Sequence, residues 1–361
     1  MKNSFARLER LSILNYKGID SLEIAFPDSL VATDPDINIF GSMNGVGKTA
    51  VLECCAWVLL AYSGEMNGIN EATGHDFSIL IKSGFDSARV TGYLSTGKKT
   101  LHRVVVRFDI GGRVSVTGAC CKKRNRSDDD PVGVTVGRIL GRISEPAHAQ
   151  NFFFLHSYRK VREGRPELGM LLDDDSSEGI VIRRRGFYAS RESVQFSMFK
   201  RLIVKHLMQK AELFDVSSLK RGQQDDASIS VLNGLLSQYA EVRVGKLKPF
   251  ANNTIDVMVE KLSCPDKAFS IDGLSSGQKE IISTLFLIWH ATYQHPRTIL
   301  IDEPELHLNE QWHAGIVDKL IALAPKNQYI IATHAKAIME SVHERNRHLL
   351  VGGVGRESRP Q

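Results

Sequence analysis

Residues 274–280, LSSGQKE, decide the fold of this chain together with two companion segments. The glycine-rich stretch SMNGVGKT lies upstream at residues 42–49, and the stretch TILIDEPE lies downstream at residues 298–305. A glycine-rich loop alone indicates only that a phosphate group is bound. The serine–glycine segment and the apolar strand that ends in two acidic residues, in this order, narrow the prediction to an ATP-hydrolysing α/β domain.

The glycine-rich loop has the composition and the context of a phosphate-binding site. An apolar segment, residues 37–40, precedes it, and residues 49–62 follow with helical length and no helix breaker. Glycine lets consecutive backbone N–H groups close around phosphate oxygens without interference from a Cβ atom. The residues predicted to bind the nucleotide here are Asn44, Gly45, Val46, Gly47, Lys48 and Thr49. Within this set Lys48 would contact the β- and γ-phosphates as a catalytic cation, and Thr49 would ligate Mg²⁺.

The downstream segment predicts the acidic half of the same site. Residues 298–301 are apolar enough for a strand in the middle of a sheet, and the strand delivers Asp302 and Glu303 at its carboxyl end. Ligands of open α/β sheets bind at that edge. We expect Asp302 to hold the Mg²⁺ shell and Glu303 to polarise the attacking water as the catalytic carboxylate.

Two further anion-binding positions follow from helix and strand ends. Ser275, Gly277 and Gln278 open a helix, and the N–H groups and the dipole of a helix start favour an anion. Because Lys48 already marks one anion site, this second one would serve the γ-phosphate held by another copy of the chain. A plain serine-capped helix start is the alternative interpretation. His334 ends the next apolar strand, residues 329–333, and would contact the γ-phosphate as a catalytic residue.

These segments resemble the ATP-binding heads of the SMC, RecF and OLD group of ABC ATPases. Residues 15–19, NYKGI, resemble the N-terminal turn of that group, and residues 302–308, DEPELHL, followed by Trp312 resemble its acidic run. Thr333 and His334 match its switch histidine. The chain departs from the pattern at Ser42 in place of the first loop glycine and at three positions after the acidic run, which are Asn309, Glu310 and His313.

The resemblance implies an α/β fold, an ABC-type P-loop ATPase head that uses ATP and Mg²⁺. We expect an N-terminal antiparallel β lobe, a central mostly parallel sheet and an inserted helical lobe. The corresponding domains are residues 1–118 with the phosphate loop, 119–265 as the inserted lobe, and 266–361 with the remaining motifs. The insertion is too short for the long coiled coil of an SMC protein, and no nuclease domain is expected after His334.

Outside the motifs the sequence predicts a few elements only in outline. Two strands are expected within residues 8–26, several antiparallel strands within 77–118, and a buried strand at 152–155. Helices are expected at 193–214, 229–239 and around residues 312–320, and a strand at 256–259. Members of the family carry a glutamine-bearing loop where this chain has residues 154–159 without a glutamine, and Tyr158 and Arg159 would substitute for it. Lys17 is a further candidate for a phosphate-side contact.

Composition bounds the setting of the protein. The 361 residues include 42% hydrophobic and 24% charged residues and carry a net charge of +5, which is compatible with a nucleic-acid partner and does not require one. The cysteines are Cys54, Cys55, Cys120, Cys121 and Cys264, and they fit no zinc or disulfide spacing. With no signal-peptide pattern and no apolar run of membrane length, the prediction is a cytoplasmic protein without a membrane partner.

The resemblance implies an ATP-dependent homodimer or higher oligomer and leaves several outputs open. The leading hypothesis is a DNA transaction or control of a separate effector such as a nuclease, as in anti-phage systems of the Septu or PARIS kind. A RecF-like repair ATPase, an ABC transporter subunit and an ATP-gated scaffold are the alternatives. Basic residues at 122–126, 183–185 and 200–210 could bind DNA or RNA phosphates, although a charge run is more often a solvated face.

Overall fold

The structure is a computed structural model that divides into two compact units, residues 1–159 with 291–361 and residues 160–290. The described residues are 5–27, 35–41, 46–66, 69, 76–96, 100–118, 132–142, 145–159, 161, 163–165, 197–210 and 223–350. Within them no helix combines the length and the apolar character that crossing a membrane requires.

The strands are numbered in chain order as β1 (Ala6–Tyr16), β2 (Ile19–Ala25), β3 (Asp36–Gly41), β4 (Ser87–Thr96), β5 (Thr100–Asp109), β6 (Val114–Thr117), β7 (Ala147–His148), β8 (Phe152–Leu155), β9 (Val242–Pro249), β10 (Ile255–Lys261), β11 (Cys264–Ser270), β12 (Thr298–Asp302), β13 (Gln328–Thr333) and β14 (Arg347–Leu349). The helices are α1 (Lys48–Tyr62), α2 (Val132–Ile139), α3 (Met198–Lys210), α4 (Gln223–Ala240), α5 (Ser276–Thr292), α6 (Glu310–His313), α7 (Ile316–Leu323) and α8 (Lys336–Glu340).

The first unit opens with an antiparallel sheet in the order β2-β1-β4-β5-β6. The turn between β1 and β2 needs left-handed backbone at Asn15 and Lys17, whose φ angles are 55° and 49°. Strand β4 carries Gly92 where α1 crosses the sheet, and a Cβ atom there would lie 2.2 Å from Cγ1 of Val58. The small residue therefore lets the helix approach the sheet closely.

The second sheet of this unit has the order β14-β3-β13-β12-β8-β7, and all its strand pairs are parallel except β7–β8. Strands β8, β12 and β13 are buried along their whole length, which explains their continuous apolar sequences. The side-chain amide of Gln328 joins the sheet to β1, because it donates to the carbonyl oxygen of Leu8 and accepts from its N–H at 2.8 and 2.9 Å.

Helix α1 is buried on nearly every side, since it packs against strands of both sheets of the first unit. A helix in that position must be apolar all round rather than on one face, and residues 50–61 meet that need except at Glu53. Cys54 and Cys55 are buried free thiols, and burial raises the pKa of each. Both therefore stay protonated at neutral pH, and the reactive thiolate does not form.

The second unit contains α3, α4, most of α5 and a three-stranded antiparallel sheet in the order β11-β10-β9. The rings of Phe199 on α3 and Phe286 on α5 meet edge to face at 5.8 Å in its core. The sequence predicted only the central strand of this sheet, at residues 256–259. Strands β9 and β11 were missed because most of their side chains are at least partly exposed and the sequences are polar.

The predicted fold class is confirmed: an antiparallel β lobe and a mostly parallel sheet frame the phosphate-loop helix. One predicted helix around residues 312–320 is in fact two short helices, α6 and α7, which Ala314 and Gly315 separate. The domain boundaries proposed at residues 118 and 265 stay predictions.

Candidate functional site

The carboxyl edge of the parallel sheet collects the predicted residues of the first unit. The phosphate loop follows β3, the acidic pair ends β12, and His334 follows β13, so three adjacent parallel strands deliver them to one edge. Gly47, the residue before α1, has φ 95°, and a Cβ atom at this position would lie 3.2 Å from Cγ1 of Ile19. Only glycine adopts that backbone without strain. Asn44 and Gly45 lie outside the described residues.

Thr49 and Asp302 form an oxygen-rich corner of this edge. The hydroxyl of Thr49 donates to Oδ2 of Asp302 at 3.0 Å, and Asp302 is fully buried. Its Oδ1 has no hydrogen-bond partner within the described part of the chain. A buried carboxylate oxygen without a donor, beside a hydroxyl, fits a hard cation such as Mg²⁺.

Lys48, His334 and Glu303 converge beside that corner. The ammonium of Lys48 lies 2.9 Å from Nε2 of His334. The Nε2 atom of His334 also lies 3.2 Å from Oε1 of Glu303. Nε2 can accept from Lys48 or donate to Glu303, and it cannot do both at once. Burial lowers the pKa of Lys48, while the carboxylates of Glu303 and Asp302 oppose that shift. The arrangement can therefore neutralise an anion and hold a proton close to a carboxylate.

The backbone of Glu303 has an unusual conformation that aims its carboxylate. Its φ is 48°, in the left-handed region that few non-glycine residues adopt. The N–H of Glu303 donates to the carbonyl oxygen of Ala332 at 2.8 Å, and its own carbonyl oxygen accepts from Nη2 of Arg159 at 3.0 Å. The catalytic role of Glu303 stays a prediction, and its placement is fixed from both sides of the residue.

Glu305 has a contact role that the sequence pattern did not specify. Its Oε1 accepts from the hydroxyl of Thr333 at 2.8 Å and from the N–H groups of His334 and Ala335 at 2.6 and 3.1 Å. This carboxylate therefore ties the turn after β12 to the residue after β13. The sequence signal that could have indicated this role is the acidic residue two positions after Glu303.

A second buried carboxylate lies on α1. Glu53 is 2% exposed, accepts from the hydroxyl of Tyr16 at 2.9 Å and from the ammonium of Lys17 at 2.7 Å. Burial raises the pKa of Glu53, and the Lys17 charge opposes that shift. Lys17 was expected to contact phosphate, and here its ammonium anchors the β1–β2 turn to α1.

The serine–glycine segment lies in the second unit, where it starts α5. Ser275 is exposed; its hydroxyl accepts from the N–H of Gln278 at 3.3 Å, while Oε1 of Gln278 accepts from the N–H of Ser275 at 3.0 Å. This reciprocal pair is a capping box. The Gln278 amide also donates to the carbonyl oxygen of Tyr239 at 3.1 Å. The nucleotide contacts of Ser275, Gly277 and Gln278 stay predictions.

A buried ionic cluster holds the loop before Ser275 within the same unit. The ammonium of Lys200, which is 2% exposed, pairs with Asp272 and donates to the carbonyl oxygen of Gly164 at 3.0 Å. Lys279 donates to the carbonyl oxygen of Asp272 at 3.0 Å and to Glu163 at 2.6 Å. The predicted basic stretch at 200–210 is thus partly interior, and the stretches at 122–126 and 183–185 lie outside the described residues.

Comparison with protein families agrees with this geometry. Residues 10–135 match a family described as "AAA domain". Residues 156–340, about half of the chain, match a family described as "AAA domain, putative AbiEii toxin, Type IV TA system". The two matches together span α1, the acidic residues Asp302 and Glu303, and His334.

Individual relatives are more distant. The "Retron Vc95 probable ATPase" of Vibrio cholerae serotype O1 biovar El Tor is 32% identical over an alignment of 83 residues, and the match covers 20% of this chain and 16% of that protein. A crystal structure of an SMC head bound to the C-winged helix domain of ScpA matches 93% of this chain and 91% of that chain, at 15% identity and a TM-score of 0.55. An Smc head from Pyrococcus furiosus with an extended coiled coil, bound to the C-terminal domain of ScpA, matches 93% and 92% of the two chains at 12% identity and a TM-score of 0.50. These structures share the fold, so the predicted resemblance to the SMC type of ABC ATPase head is confirmed at the level of the fold.

Proposed function

This chain belongs to the AAA domain family described as "putative AbiEii toxin, Type IV TA system", and on that premise we propose that it hydrolyses ATP between two copies of itself. The observation that carries the proposal is the convergence at one sheet edge of Lys48 with His334 and of Thr49 with Asp302, at 2.9 and 3.0 Å. Phosphoryl transfer needs charge neutralisation and an in-line nucleophile rather than covalent chemistry. The edge offers a side chain for each of these needs.

Nucleotide binding would rest on the start of α1. The helix dipole and the N–H groups after Gly47 favour the phosphates, and Lys48 would leave His334 for the β- and γ-oxygens. Thr49 and Asp302 would hold Mg²⁺ through the hydroxyl and the buried carboxylate. When bound, Mg²⁺ supplies positive charge that offsets the charge of the transferred phosphoryl group.

Hydrolysis would use Glu303 and His334. Glu303 would orient a water and accept its proton, since a carboxylate with both backbone groups held is ready to act as a base. His334, whose Nε2 lies 3.2 Å from that carboxylate, would donate to the γ-phosphate. The exposed Ser275 at the start of α5 would face the γ-phosphate on a second copy, where the N–H groups of a helix start favour an anion.

The output of the ATPase would be control of a separate effector. The support is a local match to a protein named as a probable retron ATPase and membership of a family whose description names a toxin–antitoxin system. We infer that ATP-driven association changes how such an effector protein is held. A nuclease is the effector class that we expect first.

Assembly is the feature that tests the proposal. Ser275→Arg places a long cation at the exposed start of α5, so ATP binding should persist while ATP-dependent association and turnover are lost. Ser263→Arg, in the exposed turn between β10 and β11, is the matched control and should associate normally. Light scattering with ATP and Mg²⁺ reads association directly. Equal ATP-induced assembly of the wild type and Ser275→Arg would exclude a sandwich dimer through this segment.

A further inference from the structure

Arg159 hydrogen-bonds to the backbone just after β8 and at the end of β12, where the acidic pair Asp302 and Glu303 lies. The residue is 7% exposed and lies four positions after the end of β8. Its Nη1 donates to the carbonyl oxygen of Asp302 at 2.7 Å and to that of His156 at 3.2 Å, and its Nη2 donates to the carbonyl oxygen of Glu303 at 3.0 Å. One guanidinium thus connects the residue that follows β8 with the end of β12.

The contact matters because of what the backbone does at Glu303. Asp302 is the last residue of β12, and the chain leaves the strand at Glu303 with φ 48°. An L residue in this region is unfavourable by itself, so neighbouring contacts must hold it. The N–H of Glu303 donates to the carbonyl oxygen of Ala332 at 2.8 Å, and the carbonyl oxygen of Glu303 accepts from Arg159 at 3.0 Å.

The guanidinium is suited to this task in a way that other side chains are not. Its planar fork donates two N–H groups in parallel, which fits two consecutive carbonyl oxygens. A lysine ammonium is a point charge on a flexible stem and cannot reproduce that fork. Without it, the Glu303 peptide could rotate to an ordinary φ, and its carboxylate would move away from His334, which lies 3.2 Å from Oε1.

We propose that Arg159 is a positioning residue for ATP hydrolysis: it holds the backbone carbonyl of Glu303 so that the carboxylate meets the attacking water. The inference rests on the proposed role of Glu303 in hydrolysis. The three hydrogen bonds given above run from Nη1 and Nη2 of Arg159 to backbone carbonyl oxygens, so in this account Arg159 acts on hydrolysis through the backbone of Glu303. Its loss should therefore lower kcat and leave ATP affinity nearly unchanged.

A matched arginine lies at the other end of the same strands. Arg297 precedes β12, and its Nη1 donates to the carbonyl oxygen of Ala149, in the loop before β8, at 3.1 Å. Arg297→Met removes a comparable arginine–carbonyl bridge at the amino ends of β12 and β8, far from the acidic pair along the strands. This variant controls for the general cost of losing such a bridge.

The test compares Arg159→Met, Arg159→Lys and Arg297→Met in the full chain. Misplacing a catalytic group by about 1 Å can cost about 100-fold in rate, so we expect kcat to fall about 10- to 100-fold in Arg159→Met, with ATP affinity changed by less than about 3-fold. Arg159→Lys keeps the charge and should recover only part of that loss. Arg297→Met should stay within about 3-fold of the wild-type kcat. In a Glu303→Gln background, Arg159→Met should lower kcat by less than about 2-fold more, because it acts through a carboxylate that is already gone.

A second readout does not depend on turnover. Hydrogen exchange of a peptide that covers residues 300–308 should accelerate in Arg159→Met and not in Arg297→Met. Unchanged exchange, or full additivity of Arg159→Met with Glu303→Gln, would overturn the positioning role. If the wild type does not hydrolyse ATP, the proposed function fails, and the exchange experiment still decides whether Arg159 holds Glu303. If Arg159→Met does not fold, Arg159→Lys carries both measurements.

Discussion

Glu305→Ala is the substitution whose effect can be worked out most fully from the contacts. One oxygen, Oε1, accepts from Thr333, His334 and Ala335 at 2.8, 2.6 and 3.1 Å, so truncation removes all three bonds together. Thr333 is fully buried, and a buried donor without an acceptor costs about 1–3 kcal/mol. The N–H of His334 is exposed and can bond water, and the N–H of Ala335 also donates to the Thr333 hydroxyl oxygen at 3.0 Å, so each of these two losses costs about 0.5 kcal/mol. The turn that carries His334 should therefore lose about 2–4 kcal/mol.

A loss of this size predicts a measurable change in turnover. Since about 1.4 kcal/mol is a factor of ten, even about 2 kcal/mol would reduce the equilibrium constant between the held and the released turn about 30-fold. We expect kcat of Glu305→Ala to fall about 10- to 100-fold, with ATP affinity within about 3-fold of wild type because none of the three lost bonds involves the start of α1. Glu340→Ala removes an exposed glutamate that pairs with Lys336 at 3.4 Å, and it should change kcat by less than about 2-fold.

Glu305→Gln separates a positioning role from a catalytic one. The amide oxygen can accept the same three donors, so we expect kcat within about 5-fold of wild type. The assay is steady-state phosphate release together with calorimetric ATP affinity for each variant. If Glu305→Gln were as inactive as Glu303→Gln, then Glu305 would be the catalytic carboxylate. If Glu305→Ala had wild-type turnover, the three bonds would not hold His334.

Two further substitutions test separate parts of the account. Lys48→Ala should abolish ATP binding in calorimetry because it removes the cation at the start of α1, whereas Lys326→Ala, on the exposed surface, should bind normally; unchanged affinity in Lys48→Ala would contradict the site. His348→Gln should weaken the loss of stability in acid: burial lowers the pKa of His348 to about 4, below the value of about 6.5 in an unfolded chain. As pH falls from about 6.5 to about 4, the unfolded chain therefore binds a proton that the folded chain refuses, and about 3 kcal/mol of stability is lost. Equal slopes of unfolding free energy against pH in wild type and His348→Gln would show that this histidine is not the cause.

The placement of the predicted residues at one sheet edge follows from local sequence signals, while their roles stay predictions. Two sequence patterns each predict a local structure: a glycine-rich loop between a strand and a helix, and an apolar strand that ends in two acidic residues. Parallel strands then bring their carboxyl ends to one edge, so Lys48, Asp302 and His334 meet although they are far apart in sequence. Asn44, Gly45 and the basic stretches at 122–126 and 183–185 are outside the described residues and stay predictions.

The parts that could not be predicted depend on contacts without a local pattern. Arg159 reaches the carbonyl oxygen of Asp302 across 143 positions, and nothing around it in the sequence specifies a backbone partner. Strand β9 was missed because Lys246, Lys248 and Pro249 are not typical of a buried strand, and β11 was missed because its sequence, CPDKAFS, is mostly polar and exposed. Gly315 divides the helix expected after the acidic run, a break that the apolar spacing of Trp312, Ile316 and Leu320 concealed.

The central claim is tested most directly by the turnover of Glu303→Gln. The amide is nearly isosteric and leaves Asp302 to hold Mg²⁺, so ATP should bind with wild-type affinity while hydrolysis slows about 100-fold or more. Binding without hydrolysis should also trap the ATP-bound dimer, which raises the apparent mass with ATP and Mg²⁺ and not with ADP. Glu310→Gln, an exposed glutamate nearby, is the control and should turn over normally. Hydrolysis by Glu303→Gln at the wild-type rate would contradict the account.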